Sequence, residues 1–120
     1  MRKIICVSGL FALALAILLS GGLGGSTAYS DDASLLAEGK KLFEWKAPNG
    51  TRCVDCHENG KLLEKTAKKK YWVMMGVKFK RIEDTINLCR ENPMGLHTTK
   101  LDPDSREMKA LKAYVFSFTK

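Results

Sequence analysis

Apolar side chains recur at helical spacing in three stretches of the second part of the chain. In the first stretch, the apolar residues near one helix face are Leu35, Leu36, Leu42 and Phe43. This spacing predicts an amphipathic helix, with Asp32 or Ser34 as its N-cap. Gly39, four positions before Phe43, would let another helix approach closely. A turn is predicted after this helix at Pro48, Asn49 and Gly50.

The other two stretches predict two further helices. The apolar positions of the second stretch are Ile82, Ile86 and Cys89. Pro93 is expected to end this helix, because proline disfavours helical geometry in the residue before it. The apolar positions of the third stretch are Met108, Leu111, Val115 and Phe118. Asp104 or Ser105 is the predicted N-cap of this last helix, and Glu107 lies in its first turn.

Strand-like alternation of apolar and polar residues is not evident over any length of the sequence. Met74 and Met75 are adjacent and are therefore predicted to point in different directions on a helix, as core residues. The predicted fold class is all-α, built from short helices. A chain of this length can bury only a modest apolar core of its own.

The amino terminus has the three-part plan of a secretory signal peptide. Arg2 and Lys3 give it a basic start, an apolar run follows from Ile4 to Leu19, and small residues come next. Cleavage is predicted after Ala28 or Ser30. The alternative is an uncleaved anchor, although the apolar run is short of the roughly 20 residues that a membrane span needs.

The domain organisation follows from this signal. Residues 1–30 are predicted to be a cleaved signal peptide, and residues 31–120 are predicted to form one domain. Cys6 would be removed with the signal. Export to the periplasm, or out of the cytoplasm by another route, is the expected localisation.

The pattern C-x-x-C-H at Cys53, Cys56 and His57 is typical of a c-type haem attachment site. The two thiols would form thioether bonds to the haem, and His57 would be the proximal ligand of the iron. A zinc site would need a second ligand pair at matching spacing, but only Cys89 and His97 remain, eight positions apart. The sequence therefore predicts one covalent haem c.

The distal ligand of the iron has several candidates. Met94 is a thioether in a loop shaped by its neighbours, and it could instead pack on the haem edge. Cys89 lies on the apolar side of its helix, and it could instead be a small buried hydrophobe. His97 is an outside candidate, because a lone loop histidine is usually solvated. An open site is the remaining alternative, and Met74 and Met75 are interpreted as core or haem-wall residues.

The first and last predicted helices, together with the haem motif, resemble those of class I c-type cytochromes. In that family the two helices cross, and a glycine and an aromatic of the first meet an aromatic of the last. The matching positions here are Gly39, Phe43 and Tyr114. The resemblance implies a cytochrome c fold over residues 31–120.

The segment from Ile82 to Tyr114 resembles the haem domains of sulfur-oxidation cytochromes, the thiosulfate dehydrogenases and the Sox-type proteins. Those domains carry an I-N-x-C segment and then a D-S-x-E-M-x-A helix, both of which occur here. The resemblance implies that the cysteine of that segment, Cys89, is the distal ligand. This chain departs from those enzymes in carrying a single haem motif, where they usually have two haems or a partner subunit.

The charge is basic and concentrated. Without Arg2 and Lys3, 18 basic and 13 acidic residues remain, for a net charge of +5. Eight basic residues and one acid, Glu64, lie between residues 61 and 81. This run is either a solvated face or a patch that docks an acidic redox protein. The residues proposed for docking are Lys65, Lys68, Lys69 and Lys70.

Two functions follow from these observations. A haem iron with two axial ligands has no open position for a substrate, which favours a periplasmic one-electron carrier between redox proteins. The alternative is a haem domain, or a subunit of an enzyme, that oxidises a small sulfur anion such as thiosulfate with Cys89 as distal ligand. A haem-based sensor would need an output domain, and the sequence offers none.

Overall fold

The computed structural model describes residues 27–120, which form four helices and one β-hairpin. The helices are α1 (Thr27–Glu44), α2 (Cys53–Cys56), α3 (Ile82–Glu91) and α4 (Arg106–Ser117). The strands are β1 (Trp72–Met74) and β2 (Val77–Phe79). Two single turns of 3-10 helix lie between α2 and β1, at Glu58–Gly60 and Thr66–Lys68. The predicted basic start and apolar run of the signal peptide, and Cys6, lie outside the described residues.

The crossing of α1 and α4 is the main packing contact of the fold. Gly39 lies at the crossing, where an added Cβ would be only 2.1 Å from the carbonyl oxygen of Ala110 and 2.7 Å from Cβ of Tyr114. One turn further along α1, Phe43 meets the Tyr114 ring edge-on at 5.3 Å between centroids. The contact expected from the resemblance, between Gly39, Phe43 and Tyr114, is therefore confirmed.

Gly39→Ala is expected to destabilise the protein because the helices would have to separate around the new methyl group. Overpacking of this kind costs about 3 kcal/mol. Gly76→Ala is the matched control: its φ of +79° disfavours a side chain, but nothing lies within 4 Å of the added Cβ, so about 1 kcal/mol is expected. Urea unfolding of both variants measures the difference, and equal losses would contradict the tight crossing.

The buried core lies between α1, α4 and the segment that follows the haem motif. Its central members are Phe43, Leu63, Leu111 and Val115. Phe118 closes this cluster, with its ring 5.9 Å from Phe43 and 5.1 Å from Tyr114 between centroids. Met108, predicted as a core residue of the last helix, is fully buried. The short chain thus builds its core largely from aromatic and branched side chains at one end of α4.

Two polar side chains of α3 fix that helix against the rest of the fold. Glu83 accepts a hydrogen bond of 2.8 Å from Nζ of Lys112 on α4. Asn87 bonds both backbone polar atoms of Leu101, donating to its carbonyl at 3.0 Å and accepting from its N–H at 2.9 Å. Both residues are buried, so each satisfies its polar atoms inside the protein.

The Glu83–Lys112 pair predicts a specific pH dependence of stability. Burial raises the pKa of Glu83, but the hydrogen bond from Lys112, a backbone hydrogen bond and the charges of Lys112 and Arg81 outweigh it, and the pKa lies below its usual value. The stabilisation is therefore present above the unfolded pKa of about 4.3 and is lost as the pH falls through the folded pKa. Glu83→Gln should be less stable than wild type at about pH 7, and the gap should shrink at about pH 3.

Urea midpoints at the two pH values test this expectation. Glu107→Gln, an exposed acid in the first turn of α4, is the matched control and should show a smaller gap at neutral pH. A gap for Glu83→Gln that does not change with pH would contradict the role of the ion pair.

The observed helix boundaries differ from the sequence prediction at the start of α1. Helix α1 begins at Thr27, so Asp32 and Ser34 lie inside it and are not N-caps. Ser34 instead accepts a hydrogen bond of 3.0 Å from Arg106 on α4. For α4 the expected cap is confirmed: Ser105 Oγ accepts from the N–H of Met108 at 3.2 Å. Helix α3 ends just before Pro93, as expected.

The described residues are mostly helical, which agrees with the predicted all-α class, but they also contain a β-hairpin that the sequence did not predict. Strands β1 and β2 pair antiparallel, with Trp72 opposite Phe79 and Met74 opposite Val77. Met75 and Gly76 form the turn with φ of 52° and 79°, and positive φ at both central residues is the geometry that suits a two-residue hairpin. Met74 and Met75 therefore lie at the end of a strand and in a turn, not on a helix. Three residues per strand are too few for alternation to be evident in the sequence.

Within residues 27–120, no helix has both the length and the apolar character that crossing a membrane requires.

Candidate functional site

An apolar cavity of about 410 Å³ opens beside the haem motif. This volume lies within the range typical of sites for small molecules and cofactors. All three motif residues line it: Cys53, Cys56 and His57. The rest of the lining comes from α1, the segment between α2 and the hairpin, the hairpin itself, α3, the loop after α3, and α4. The fold therefore brings the motif and the distal segments of the sequence to a single concave site.

A single helical turn, α2, positions the two motif cysteines. Because Cys53 and Cys56 are three positions apart on a helix, their side chains lie on the same face. Asp55 secures the start of this turn, accepting from the backbone N–H of Arg52 at 2.8 Å and from its guanidinium at 2.7 Å. The side-chain hydrogen bond from Arg52 lowers the pKa of Asp55. Neither cysteine forms a disulfide, so the structure places two sulfur atoms at the cavity that could each take a thioether bond.

His57 is oriented as a haem ligand would need to be. Its Nδ1 lies 2.9 Å from the carbonyl oxygen of Lys61. Since a carbonyl oxygen only accepts hydrogen bonds, Nδ1 is the donor in this contact, and Nε2 is the ring nitrogen left to bind a metal. A hydrogen bond from the second ring nitrogen to a carbonyl is the usual way in which proteins orient a metal-binding histidine. The ring of Phe43 lies 6.4 Å away between centroids and bounds it on the core side.

Unpaired polar atoms at the cavity match the carboxylates of a haem. Trp72 Nε1 and Thr85 Oγ1 are buried, and neither has a hydrogen-bond partner among the described residues. Both residues line the cavity, as does Lys69. Buried donors normally have partners, and two propionate groups would supply acceptors for them. An apolar cavity with two thiols, an oriented imidazole and free donors fits a haem.

Cys89 lines the cavity from α3, beside a methionine of the hairpin. Its Sγ lies 3.4 Å from Sδ of Met74, to which it donates a hydrogen bond. Burial, followed by the nearby Cys53 and Cys56, raises the pKa of the Cys89 thiol to about 12. A thiol in this environment stays protonated unless a cation binds the sulfur, because a bound metal ion favours the thiolate.

Met94 also lines the cavity, and only 3% of its surface is exposed. Its Sδ lies 3.8 Å from Sγ of Cys53. The loop that carries it is held in place by Asn49, whose Nδ2 donates to the carbonyl of Pro93 at 2.8 Å. Met94 is therefore a buried residue in contact with one of the two motif cysteines.

His97 is not brought to the cavity. Its side chain is 61% exposed, and its Nδ1 lies 3.8 Å from a carboxylate oxygen of Glu91. The structure thus offers no contact between His97 and the motif, and the residue is a surface histidine.

The four lysines named for docking are all exposed. Lys68 donates a hydrogen bond to the carbonyl of Lys120 at the chain end. Lys69 is the member of the group that also lines the cavity. The basic segment therefore begins at the cavity rim and extends over the neighbouring surface.

Among the residues that line the cavity, Met74 is predicted from the sequence only as a core or haem-wall residue, and Trp72 and Thr85 are not singled out. The available signal was the spacing of Trp72 and Met74 in β1, where alternate residues face the same side of a strand. Thr85 gives no signal of its own, because only the packing of α3 places it at the cavity.

The comparison with protein families agrees with the site. Residues 38–120, more than half of the chain, match the family model described as SoxA/TsdA, cytochrome c domain. Searches of curated proteins and of solved structures each give no match. The match confirms the resemblance noted in the sequence, and a cytochrome c domain implies a c-type haem with its iron. The chain belongs to the SoxA/TsdA family of cytochrome c domains.

Proposed function

We propose that this protein is a monohaem c-type cytochrome that carries single electrons between redox proteins of the periplasm. The observation that carries the proposal is the arrangement at α2: two thiols on one helical face and an imidazole whose Nε2 is left free by the bond to Lys61. Family membership supports the electron-transfer role in general terms.

The attachment chemistry is assigned to the three motif residues. The thiols of Cys53 and Cys56 would each add to a haem vinyl group to form a thioether bond. His57 would bind the iron through Nε2, and the carbonyl of Lys61 would keep the imidazole in the required orientation. The haem supplies reversible one-electron chemistry, and the polypeptide contributes ligation, burial and access to the ring edge.

Cys89 is the distal ligand that the geometry supports. Met94 Sδ is in contact with Cys53 Sγ at 3.8 Å, so Met94 would pack beside the point where Cys53 would hold the haem. Cys89 instead contacts Met74, across the cavity lining that it shares with His57. Cys89 would therefore be the residue to supply the distal ligand, and the family resemblance points to the same cysteine.

The edge of the site is open to partner proteins. Leu62 and Val73 line the cavity and are nevertheless 67% and 64% exposed. Exposed apolar residues at a cavity rim, next to the basic segment, suit transient docking of an acidic redox protein. The proposed docking residues are Lys65, Lys68, Lys69 and Lys70.

Charge reversal tests the docking surface. The double variant Lys65→Glu and Lys70→Glu is expected to slow electron transfer at a carboxylate-terminated electrode about tenfold at low salt, and added salt should reduce the effect. Lys109→Glu with Lys40→Glu, two exposed lysines on α4 and α1, is the matched control with the same change in charge. Equal slowing in both pairs would show that only net charge matters and would contradict a localised surface.

Export is proposed together with this function. Cleavage after Ala28 or Ser30 would leave Asp31 and Asp32 in the first turn of α1, where acidic residues interact favourably with the helix dipole. Asp31 also lies 3.5 Å from the guanidinium of Arg106 on α4, so the shortened helix would keep a tether to its neighbour.

A second candidate function is a haem domain that oxidises a small sulfur anion. Cys89 and the cations Arg52 and Lys69, all of which line the cavity, favour it. Incubation with thiosulfate and ferricyanide separates the two functions. The carrier proposal predicts no turnover but rapid oxidation of the ferrous protein by ferricyanide. Steady thiosulfate-dependent reduction of ferricyanide would contradict the proposal and support the second function.

A further inference from the structure

We propose that Met74 is a second distal ligand, which binds the iron whenever Cys89 does not. The inference rests on the proposed function, because it requires a haem in the cavity with Cys89 as its usual distal ligand. It assigns a role to the β-hairpin, whose strand β1 ends at Met74.

The contact between the two sulfur atoms carries this inference. Met74 Sδ and Cys89 Sγ are 3.4 Å apart, and both residues line the cavity. The two sulfur atoms could not both bind the iron from the same side, and an iron bound by Cys89 would have the Met74 thioether as the neighbouring soft ligand. A thioether is the usual partner of histidine in electron-transfer haem sites, so Met74 is chemically competent to take that position.

The backbone of the hairpin allows Met74 the small movement that it needs. Met74 is the last residue of β1, directly before the turn of Met75 and Gly76. The turn and its flanks are exposed, with Met75 at 69% and Val77 at 52%. A shift of the hairpin end would therefore displace water and would leave the aromatic core at α4 unchanged.

Other cavity residues are less well placed. Met94 Sδ lies beside Cys53 Sγ at 3.8 Å rather than beside Cys89, and Lys69 has an exposed side chain. His97 does not line the cavity. Among the described residues with a soft sulfur, Met74 is the one in contact with Cys89.

The consequence is that release of Cys89 does not open the iron. The site would keep two axial ligands, and the low-spin state suited to fast electron transfer would persist. Cys89 could then leave the iron without exposing it to water or small ligands.

The test uses the intact haem protein and the spin state of its iron. Electron paramagnetic resonance and the optical spectrum are expected to show a six-coordinate low-spin iron with a thioether ligand in Cys89→Ala. Adding Met74→Leu to that variant should give a high-spin iron. Adding Met94→Leu instead is the matched control and should leave the low-spin spectrum unchanged.

Several results would overturn the inference. These are a high-spin iron in Cys89→Ala alone, a low-spin signal that persists in Cys89→Ala with Met74→Leu, a nitrogen ligand in Cys89→Ala, and loss of the low-spin signal through Met94→Leu. A wild-type spectrum that does not change in Cys89→Ala would overturn both this inference and the proposed Cys89 ligation. A high-spin Cys89→Ala variant would overturn the Met74 inference alone.

If Cys89→Ala with Met74→Leu does not accumulate as a folded protein, a variant that introduces a new iron ligand at position 74 provides an independent measurement. Cys89→Ala with Met74→His should convert the spectrum to that of a bis-histidine iron, because the new imidazole would be placed beside the vacated position. A thioether or high-spin spectrum in that variant would contradict the placement of residue 74 over the iron.

Discussion

Replacing both Cys53 and Cys56 by serine is expected to give a protein with neither covalent haem nor a stable fold. The thioether bonds need both sulfurs, and the cavity that they serve occupies about 410 Å³. At about 24 cal/mol per Å³, a cavity of this size left unfilled would cost at most roughly 10 kcal/mol. That cost is comparable to the whole stability of a small domain, which is about 5–15 kcal/mol. Collapse or unfolding of the chain is therefore the expected result.

Two measurements check this expectation. Haem-dependent peroxidase staining after denaturing electrophoresis reports covalent attachment, and circular dichroism reports the helices. Cys89→Ser is the matched control, since it removes a cavity cysteine that forms no thioether and should keep the stain. A folded, stained Cys53→Ser and Cys56→Ser protein would refute the assignment of these residues.

Cys89→Ala is expected to raise the midpoint potential of the haem by about 0.2 V or more, within the range of about 0.8 V that axial ligands span. A thiolate places negative charge on the iron and stabilises the ferric state, whereas a thioether is neutral and is associated with higher potentials. Burial raises the pKa of the Cys89 thiol to about 12, so forming the thiolate is costly in the absence of a cation. Its charge would therefore be compensated chiefly by the iron.

A redox titration of the purified variants measures this shift. Met94→Leu preserves the volume of a buried side chain that contacts Cys53, and it should change the potential much less than Cys89→Ala does. The reverse order, with a large change in Met94→Leu and little in Cys89→Ala, would identify Met94 as the distal ligand and Cys89 as a buried hydrophobe.

Much of the fold could be predicted from the sequence because its signals are local. Helix α3 and helix α4 follow from apolar spacing, from Pro93 and from the Ser105 cap, all of which act within a few residues. The start of α1 could not be predicted in this way. Asp32 and Ser34 are good N-caps in isolation, but their side chains lie on a helix that continues to Thr27, and Ser34 is bonded to α4.

Part of the candidate site could also be predicted from local sequence, and part depends on tertiary packing. The haem motif is contiguous, so its chemistry could be predicted from five residues. The distal side is assembled from three separate segments, and the choice between Cys89 and Met94 depends on which sulfur contacts Cys53. The hairpin that carries Met74 has strands of three residues, and its effect on the site comes only from tertiary packing against α3.

A haem bound covalently at Cys53 and Cys56 would stay with the chain under denaturing conditions, whereas a haem held only by non-covalent contacts would be lost. The mass of the purified, denatured protein therefore tests covalent attachment. We expect the mass of the chain without its signal peptide plus one haem. A chain mass without haem, or with two haems, would contradict it.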